Sequence, residues 1–507
     1  MIRVGMARRL ALLVALVLAS GSLAGGRGTR AAGGGFGPGD WPMFMRDAAR
    51  SGANTAETAL TPTTVGQLRR LWVRTLAETA DSTPIRLAGV ALPDGSHQDL
   101  VFITTSRGTT YAFEARTGAQ VWRYLPTPGP RYTTSSPVAD PSRRWIYAPG
   151  VDGKVHKLAA ATGREAIGGG WPATITLMPD IEKHSSALNL ANGYLYAATG
   201  GYPGDQGTYT GHVVAIRLAD GQTTVFNTLC ANVRRLLLDR SRDPRSRYAC
   251  AQYQSGVWAR AGTVVEPQGS PLAGRVYATT GNGHFDANLG GHDYGDSVLA
   301  LSGDLGRLLD YWTPPNQNSL RESDTDLGST TPLLLPYQAA SATPWLAVQG
   351  GKDARLRLLN RLRLGHVGGE LQSLVVPGGG ILTASAVWTD PQPRTRADAA
   401  PWIISTNGEA TTALRLRTDD RGRSRLTIAW SLPLGATSPA LAGGLVFAAT
   451  DGDLFALDLH TGKRLWSARA TDPATTVGNI HWQSPIVVAG TVIVSDNDRH
   501  LAVYGLR

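Results

Sequence analysis

The only thiols in this 507-residue chain are Cys230 and Cys250. They stand roughly twenty positions apart, so the chemistry open to them is either a disulfide or two free thiols, and the compartment decides between these. The N-terminus supplies the compartment. Arg3, Arg8 and Arg9 precede an apolar run at residues 10–18, and Ser22, Leu23 and Ala24 follow as a small-x-small element, the three-part pattern of an export signal. The run is too short to cross about 30 Å of hydrocarbon as a membrane helix. The reading is a signal peptide at 1–24, with Ala32 as a second cleavage position, and a Gly-rich linker at 25–39. The mature chain then has no membrane span and works in a secreted or extracytoplasmic setting. No cysteine follows the apolar run, which argues against a lipid anchor. In an oxidising compartment Cys230 and Cys250 are expected to pair. Neither lies in C-x-x-C-H, so no covalent haem is expected.

Charge narrows the partners. The net charge is +10, but the arginines responsible are scattered through strands and turns, as at Arg234, Arg235, Arg355, Arg357, Arg361 and Arg363. A nucleic-acid face would cluster them with aromatics on one surface, and that class is set aside.

The elements that must position any site follow from a recurring turn. An apolar strand runs into Thr-Gly or Asp-Gly, and an aromatic opens the next strand a few residues later. The clearest copies are TYAFEARTGAQVW (110–122) and LFALDLHTGKRLW (454–466). Looser ones lie at 155–167, 213–226, 298–312 and 413–430, with weaker fits at 355–365 and 500–507. A period of roughly 40 to 60 residues means one small antiparallel sheet per repeat, stacked about an axis. The terminal copy lacks an aromatic strand after it, while LRRLWVRTL (68–76) has that pattern with no copy before it. Pairing the two gives an all-β, eight-bladed β-propeller of four-stranded antiparallel blades, closed by the N-terminal strand in the last blade, which removes an exposed edge. Glycine suits the tight hairpins and the aromatic fills the wedge between sheets. A small-hydroxyl-then-Pro element recurs near blade starts at Ser82–Pro84, Ser135–Pro137, Thr330–Pro332 and Thr437–Pro439, with Gln483–Pro485 as a variant. One domain, 40–507, accommodates all of this, with an insertion at about 227–255 carrying both cysteines.

These repeats resemble the pyrroloquinoline quinone (PQQ) repeat propellers, whose docking turn reads A-x-D-x-x-T-G-x-x-x-W; ALDLHTGKRLW (456–466) matches it almost position for position. Phrases such as YGDSVLAL, LLDYWTP and DTDLGS, with WPMFMRDAARSG (41–52) near the start, are most similar to secreted quinoprotein alcohol and polyvinyl-alcohol-dehydrogenase-like members, here without a haem domain. The resemblance implies PQQ and Ca²⁺ at the axis. On it, Asn282 in VYATTGNGHFDANLGGHDYGDSVLAL (276–301) is the metal-ligating carboxamide and Asp324, beside Asp326, is the catalytic base. Lys352 in QGGKDARLRLLNR (349–361) contacts the quinone, and Trp258 is the indole that stacks on it. Hard oxygen ligands, a carboxylate for the hydroxyl proton and an ammonium for a quinone oxygen form a coherent set.

The departures point elsewhere. Where the family carries a calcium-binding Glu, this chain offers Gln206 without a gap and Asp205 with one, and the adjacent Cys-Cys pair of many alcohol dehydrogenases is absent. Each matched residue also has an ordinary role: Asn282 as a turn residue, Asp324 as a turn cap, Lys352 as a solvated lysine. His481 and Trp482 are expected at the axial funnel or between blades. Two functions stay open: oxidation of an alcohol or sugar with electrons passed to an external acceptor, or a non-catalytic scaffold that binds a protein or cell-envelope polymer.

Overall fold

A hairpin closed by Thr-Gly leaves an aromatic at the start of its outer strand, and the neighbouring sheet must supply a seat for that ring. The computed structural model, which describes residues 35–239, 242, 250–391 and 399–506, folds the chain into eight sheets in which consecutive strands pair antiparallel. The expected signal peptide, most of the linker, and 240–241 and 243–249 of the insertion lie outside the described residues. Blade 1 spans 85–124, blade 2 138–174, blade 3 182–227, blade 4 264–313, blade 5 333–375, blade 6 386–432 and blade 7 440–467. Blade 8 combines Ile486–Val488, Thr491–Ser495 and His500–Gly505 with the N-terminal strand Arg69–Thr75, which pairs antiparallel along His500–Gly505. Among the described residues α-helix is confined to Gln317–Glu322 and Ala468–Thr471, and no helix is long and apolar enough to cross a membrane. Three sheets gain a short extra strand: His366–Val367 runs parallel to Leu308–Thr313 in blade 4, Ala53–Asn54 parallel to Ala440–Ala442 in blade 7, and the first strand of blade 3 is split in two.

The seams between blades explain the repeat. Trp72, Trp122 and Trp430 each donate their indole N–H to a backbone carbonyl of the next blade, at Ala115, Ala160 and Leu459 (2.8–3.0 Å). Each ring lies flat against that blade's turn glycine. A Cβ on Gly163 would stand 2.5 Å from the Trp122 ring, and one on Gly118 2.6 Å from Trp72. The same glycines have φ of +69°, a backbone that L side chains rarely adopt. Glycine is thus required twice, by conformation and by the indole. Trp466 closes the seam to blade 8 through Leu68 O (3.2 Å) and an edge contact with Tyr504. Between blades 2 and 3 the backbone of Gly170 packs on that of Gly221 instead.

At the axis the hydroxyl-Pro elements stitch blade to blade. The Ser136 hydroxyl accepts from Thr83 N (2.8 Å), Ser135 donates to Ser186 O (2.6 Å) and Ser438 accepts from Ala384 N (2.9 Å). The following Pro withholds an N–H where a strand begins.

A strap at 40–54 then runs around the inner strands, meeting blades 1, 2, 3, 4, 6, 7 and 8 in turn. Trp41 pairs with Arg86, Pro42 O accepts from Ala139 N, Ala48 O from Asn189 Nδ2 and Val265 N, Ser51 O from Val387 N and Gly52 O from Leu441 N, and Asn54 Nδ2 donates to Val487 O. Arg50 is buried and donates only to carbonyls, those of Phe44, Ala187, Leu188, Ala261 and Thr263. Burial pushes its pKa down to about 9, with Asp47 opposing.

Candidate functional site

The segments just before each first strand and just after each second strand lie at one end of the propeller, and their side chains enclose an axial cavity of about 380 Å³. The inner strands fix its depth. Thr134, Arg260, Leu382 and Trp482 line the cavity, while Ala139, Val265, Val387 and Val487, each five residues further on, bond the strap. The lining residues stand before the inner strands Val138–Ala139, Val264–Val265, Ala386–Trp388 and Ile486–Val488, and the strap bonds lie within those strands. The strap is therefore the far floor, and the cavity opens at the opposite face.

Asp205, Trp258, Asn282, Asp324 and Lys352 all line this cavity, and Asp326 joins them. Gln206 is exposed and does not line it. Asp205 follows the second strand of blade 3, Trp258 precedes blade 4, Asn282 follows Val276–Thr279, Asp324 and Asp326 follow the helix Gln317–Glu322, and Lys352 follows Leu346–Gln349. Trp258 is wedged between two glycines: a Cβ on Gly200 would lie 3.1 Å from its Cβ, and one on Gly281 3.0 Å from its indole nitrogen. Its half-buried ring presents an aromatic wall, with Lys352 Nζ 5.3 Å from the ring centre.

Lys352 Nζ stands 2.7 Å from Asp326 Oδ2 and 3.3 Å from Asp324 Oδ1. Burial disfavours its charge, but the bonds and charges of Asp326 and Asp324 outweigh this and its pKa lies above the ordinary value. Asp326 is almost wholly buried and also accepts from Asn282 N (2.6 Å); burial raises its pKa despite Lys352. Asp324 differs. Its side chain is 72% exposed and is free to meet a ligand, with a long contact to Asn282 Nδ2 (3.4 Å). Asp205 Oδ1 accepts from the buried Tyr209 hydroxyl (2.7 Å). Asp205 (φ +45°) and Asp324 (φ +52°) both hold left-handed backbone, a strain of the kind that gathers at functional sites.

Sequence reasoning missed several residues. Asp296, at φ +46°, is fully buried. Its N–H donates to Gly281 O and its Oδ1 accepts from Leu327 N (3.0 Å), so it ties the Asn282 loop to the Asp326 loop. Its Oδ2 has no partner. Burial first, and the nearby Asp326 charge, push its pKa up to about 8 against the lowering bonds from Leu327 and Gln317. On the opposite wall Lys183 lies over Tyr132 (4.8 Å), its pKa pushed down to about 8 by burial and by Arg260. Arg260 donates to Thr134 O and Asp81 O and reaches the Trp482 ring (5.8 Å). His481, bonded to Asp81 (2.8 Å), lines the cavity beside Trp482. No repeat or spacing marked Lys183, which sits in the split first strand of blade 3.

The donor set fits both expected groups. A planar polyanion meets an indole face and three cations, Lys183, Arg260 and Lys352. A hard cation would find oxygens on Asn282 and Asp205, with Asp324 beside them as the expected base. The fit has one tension, because Lys352 stands between Asp324 and Asp326. Among the described residues, the one trio of His and carboxylate groups close enough to share an ion is His284, Asp286 and Asp293, outside this cavity. It lies by the insertion, where Asp293 accepts from Cys230 N and Cys230 is joined to Cys250 by a disulfide.

Comparison places the chain. A search of curated protein sequences found no match. Solved structures with the same fold include a europium-containing methanol dehydrogenase (TM-score 0.64, 14% identity, 93% of this chain and 98% of that one). Two quinohemoprotein alcohol dehydrogenases, ADHIIG from Pseudomonas putida HK5 and that of Comamonas testosteroni, each give a TM-score of 0.61 at 15% and 16% identity, over 92% of this chain and 80% of theirs. At such identities the likeness is one of fold. The family model described as outer membrane protein assembly factor BamB matches residues 59–288 and 408–506, well over half of the sequence. With its eight blades and its indole-on-glycine seams, the chain belongs to this PQQ-repeat propeller family.

Proposed function

We propose that the protein is an exported quinoprotein-like dehydrogenase that oxidises an alcohol or sugar with PQQ and calcium and passes the electrons to an external acceptor. The observation that carries this reading is the convergence of Asp205, Trp258, Asn282, Asp324 and Lys352, drawn from three blades, on one axial cavity. When bound, PQQ supplies a two-electron oxidant and calcium a Lewis acid. The chain supplies the rest. Trp258 offers a face to the planar group, Lys183 and Arg260 neutralise carboxylates, and Asn282 and Asp205 offer oxygen ligands. Asp324 takes the substrate hydroxyl proton, because it is the carboxylate left accessible while Asp326 is committed to Lys352 and Asn282. Lys352 is held charged by Asp326, and its ammonium would polarise a quinone oxygen if PQQ occupied the cavity.

PQQ and Ca²⁺ at about 100 times their dissociation constants should stabilise the fold by about 2.7 kcal/mol. Lys352→Ala and Asp205→Ala should each reduce that gain, and Asp324→Asn should retain it while abolishing dye-linked oxidation.

A second reading, a non-catalytic scaffold for a protein or cell-envelope polymer, is favoured by the description of the family and by Lys352 standing between the two carboxylates. It prevails if PQQ with Ca²⁺ gives no thermal shift and no alcohol or sugar reduces the dye.

A further inference from the structure

A second compartment, about 280 Å³, adjoins the axial cavity between blades 6, 7 and 8, and Leu382, His481 and Trp482 line both. The two differ in charge. The axial cavity sets Lys183, Arg260 and Lys352 against Asp205, Asp324 and Asp326, whereas among the described residues no Lys or Arg lines the second compartment. Its side chains offer neutral hydroxyls, the Asn407 amide, the His481 imidazole, the Trp482 N–H and one carboxylate, Asp451, whose Oδ1 already accepts from Ile480 N (2.8 Å). Asn407 is used up internally: its Oδ1 accepts from Glu409 N and Ala410 N and its Nδ2 donates to Pro377 O and Gly379 O, which fixes the Gly408 loop at the rim. Thr437 is not used up. It is 7% exposed and its Oγ1 has no hydrogen-bond partner, a state that is costly unless a ligand or water satisfies it. The Trp482 ring, shared by both compartments, gives an apolar face between them.

Resting on the dehydrogenase reading for the axial site, we propose that this compartment is a subsite for the non-reacting part of a neutral polyhydroxylated substrate, a polyol or sugar. Its ring or chain lies on Trp482, one hydroxyl meets Thr437 Oγ1 and another donates to Asp451, while the hydroxyl to be oxidised reaches past His481 to Asp324. An anion is disfavoured here because it would meet Asp451 with no Lys or Arg among the lining residues. A simple alcohol fills only the axial side.

Gly408 supplies the test. A Cβ there meets no atom within 4 Å and its backbone is not left-handed, so Gly408→Trp should fold and fill the compartment. Calorimetric titration of the full chain, without cofactor, with D-sorbitol should show binding that weakens at least tenfold in Gly408→Trp and several-fold in Thr437→Val; malonate should show no heat that Gly408→Trp removes. In protein loaded with PQQ and Ca²⁺, kcat/KM for sorbitol should fall at least tenfold relative to that for 1-propanol in Gly408→Trp. No sorbitol binding by the wild type, equal binding by both variants, or an unchanged sorbitol-to-propanol ratio would overturn the subsite. Loaded protein that oxidises neither substrate would sink the dehydrogenase reading instead, and the sorbitol titration would still decide whether the compartment binds polyols.

Discussion

Trp122 and Trp258 are both indoles pressed against glycine, yet they belong to different regimes. Trp122 is sealed in a seam, its N–H bonded to Ala160 O and its ring flat on Gly163. Trp258 is held from behind by Gly200 and Gly281 and turns its remaining face to a cavity containing Lys352. The seam contact recurs from blade to blade, so it serves the ring as a whole. The cavity contact occurs once, with strained carboxylates around it. Repetition marks what holds the propeller together, and departure from repetition marks where its chemistry lies.

The sharpest way to break this division is at a seam. Trp466→Ala removes a buried indole and its bond to Leu68 O, and should cost about 3–5 kcal/mol; a variant that unfolds like the wild type would show the seam contact to be dispensable. The insertion lies outside both regimes. Reducing the link between Cys230 and Cys250, or replacing both with Ser, should cost up to about 3 kcal/mol by loop closure, felt first as faster proteolysis around 230–250. Non-reducing mass spectrometry checks the bond itself, and two free thiols in exported protein would remove the premise. Gly163→Ala should cost about 1–3 kcal/mol through overpacking against Trp122 in a left-handed turn. Asp324→Asn, by contrast, should shift stability by no more than about 0.5 kcal/mol, since the side chain is largely exposed. If it destabilises as much as a seam glycine, Asp324 is a structural cap.

The smallest effect is a pH term at the blade 1–2 seam. His156 is buried between Asp152 and Glu165, with Tyr124 bonded to Glu165. Burial lowers the His156 pKa, but its bonds and charges to the two carboxylates outweigh this, so the folded value lies above 6.5. The charged form is the stabilising one. Its contribution is complete below the unfolded value near 6.5 and is lost as pH rises through the higher folded value. The unfolding midpoint should therefore drop between about pH 6 and pH 8, and His156→Gln should flatten that part of the curve.

This contrast also explains what could be read from sequence. The Thr-Gly turns and trailing aromatics were legible because the seam imposes one local geometry many times, each within a dozen residues. Asn282, Asp324 and Lys352 were legible only through resemblance, since nothing local to G-N-G, D-T-D or G-G-K-D says that the three face one cavity. Lys183 and Arg260 left no signal, and Asp296 lay within the family-like phrase YGDSVLAL without standing out from it. Their importance comes from burial and from neighbours on other blades, and a single strand does not encode what its neighbours bring. Gln206 and Asp205 show the same limit: the resemblance offered both, and only the fold shows that Asp205, in a left-handed turn, lines the cavity.

The strap carries a consequence for biosynthesis. Its residues leave the ribosome before its partners, of which Val387, Leu441 and Val487 come latest, as do the strands that Arg69–Thr75 joins. A growing chain can seat Trp41 on blade 1 and Arg50 on blades 3 and 4 while Ser51, Gly52 and Asn54 still lack their partners, and the floor closes only once the last blade exists. A product that lacks the last blades therefore keeps Ala53–Asn54 and Arg69–Thr75 without their partner strands, an open flag for proteases and chaperones, whereas a finished chain pairs them in a single late step.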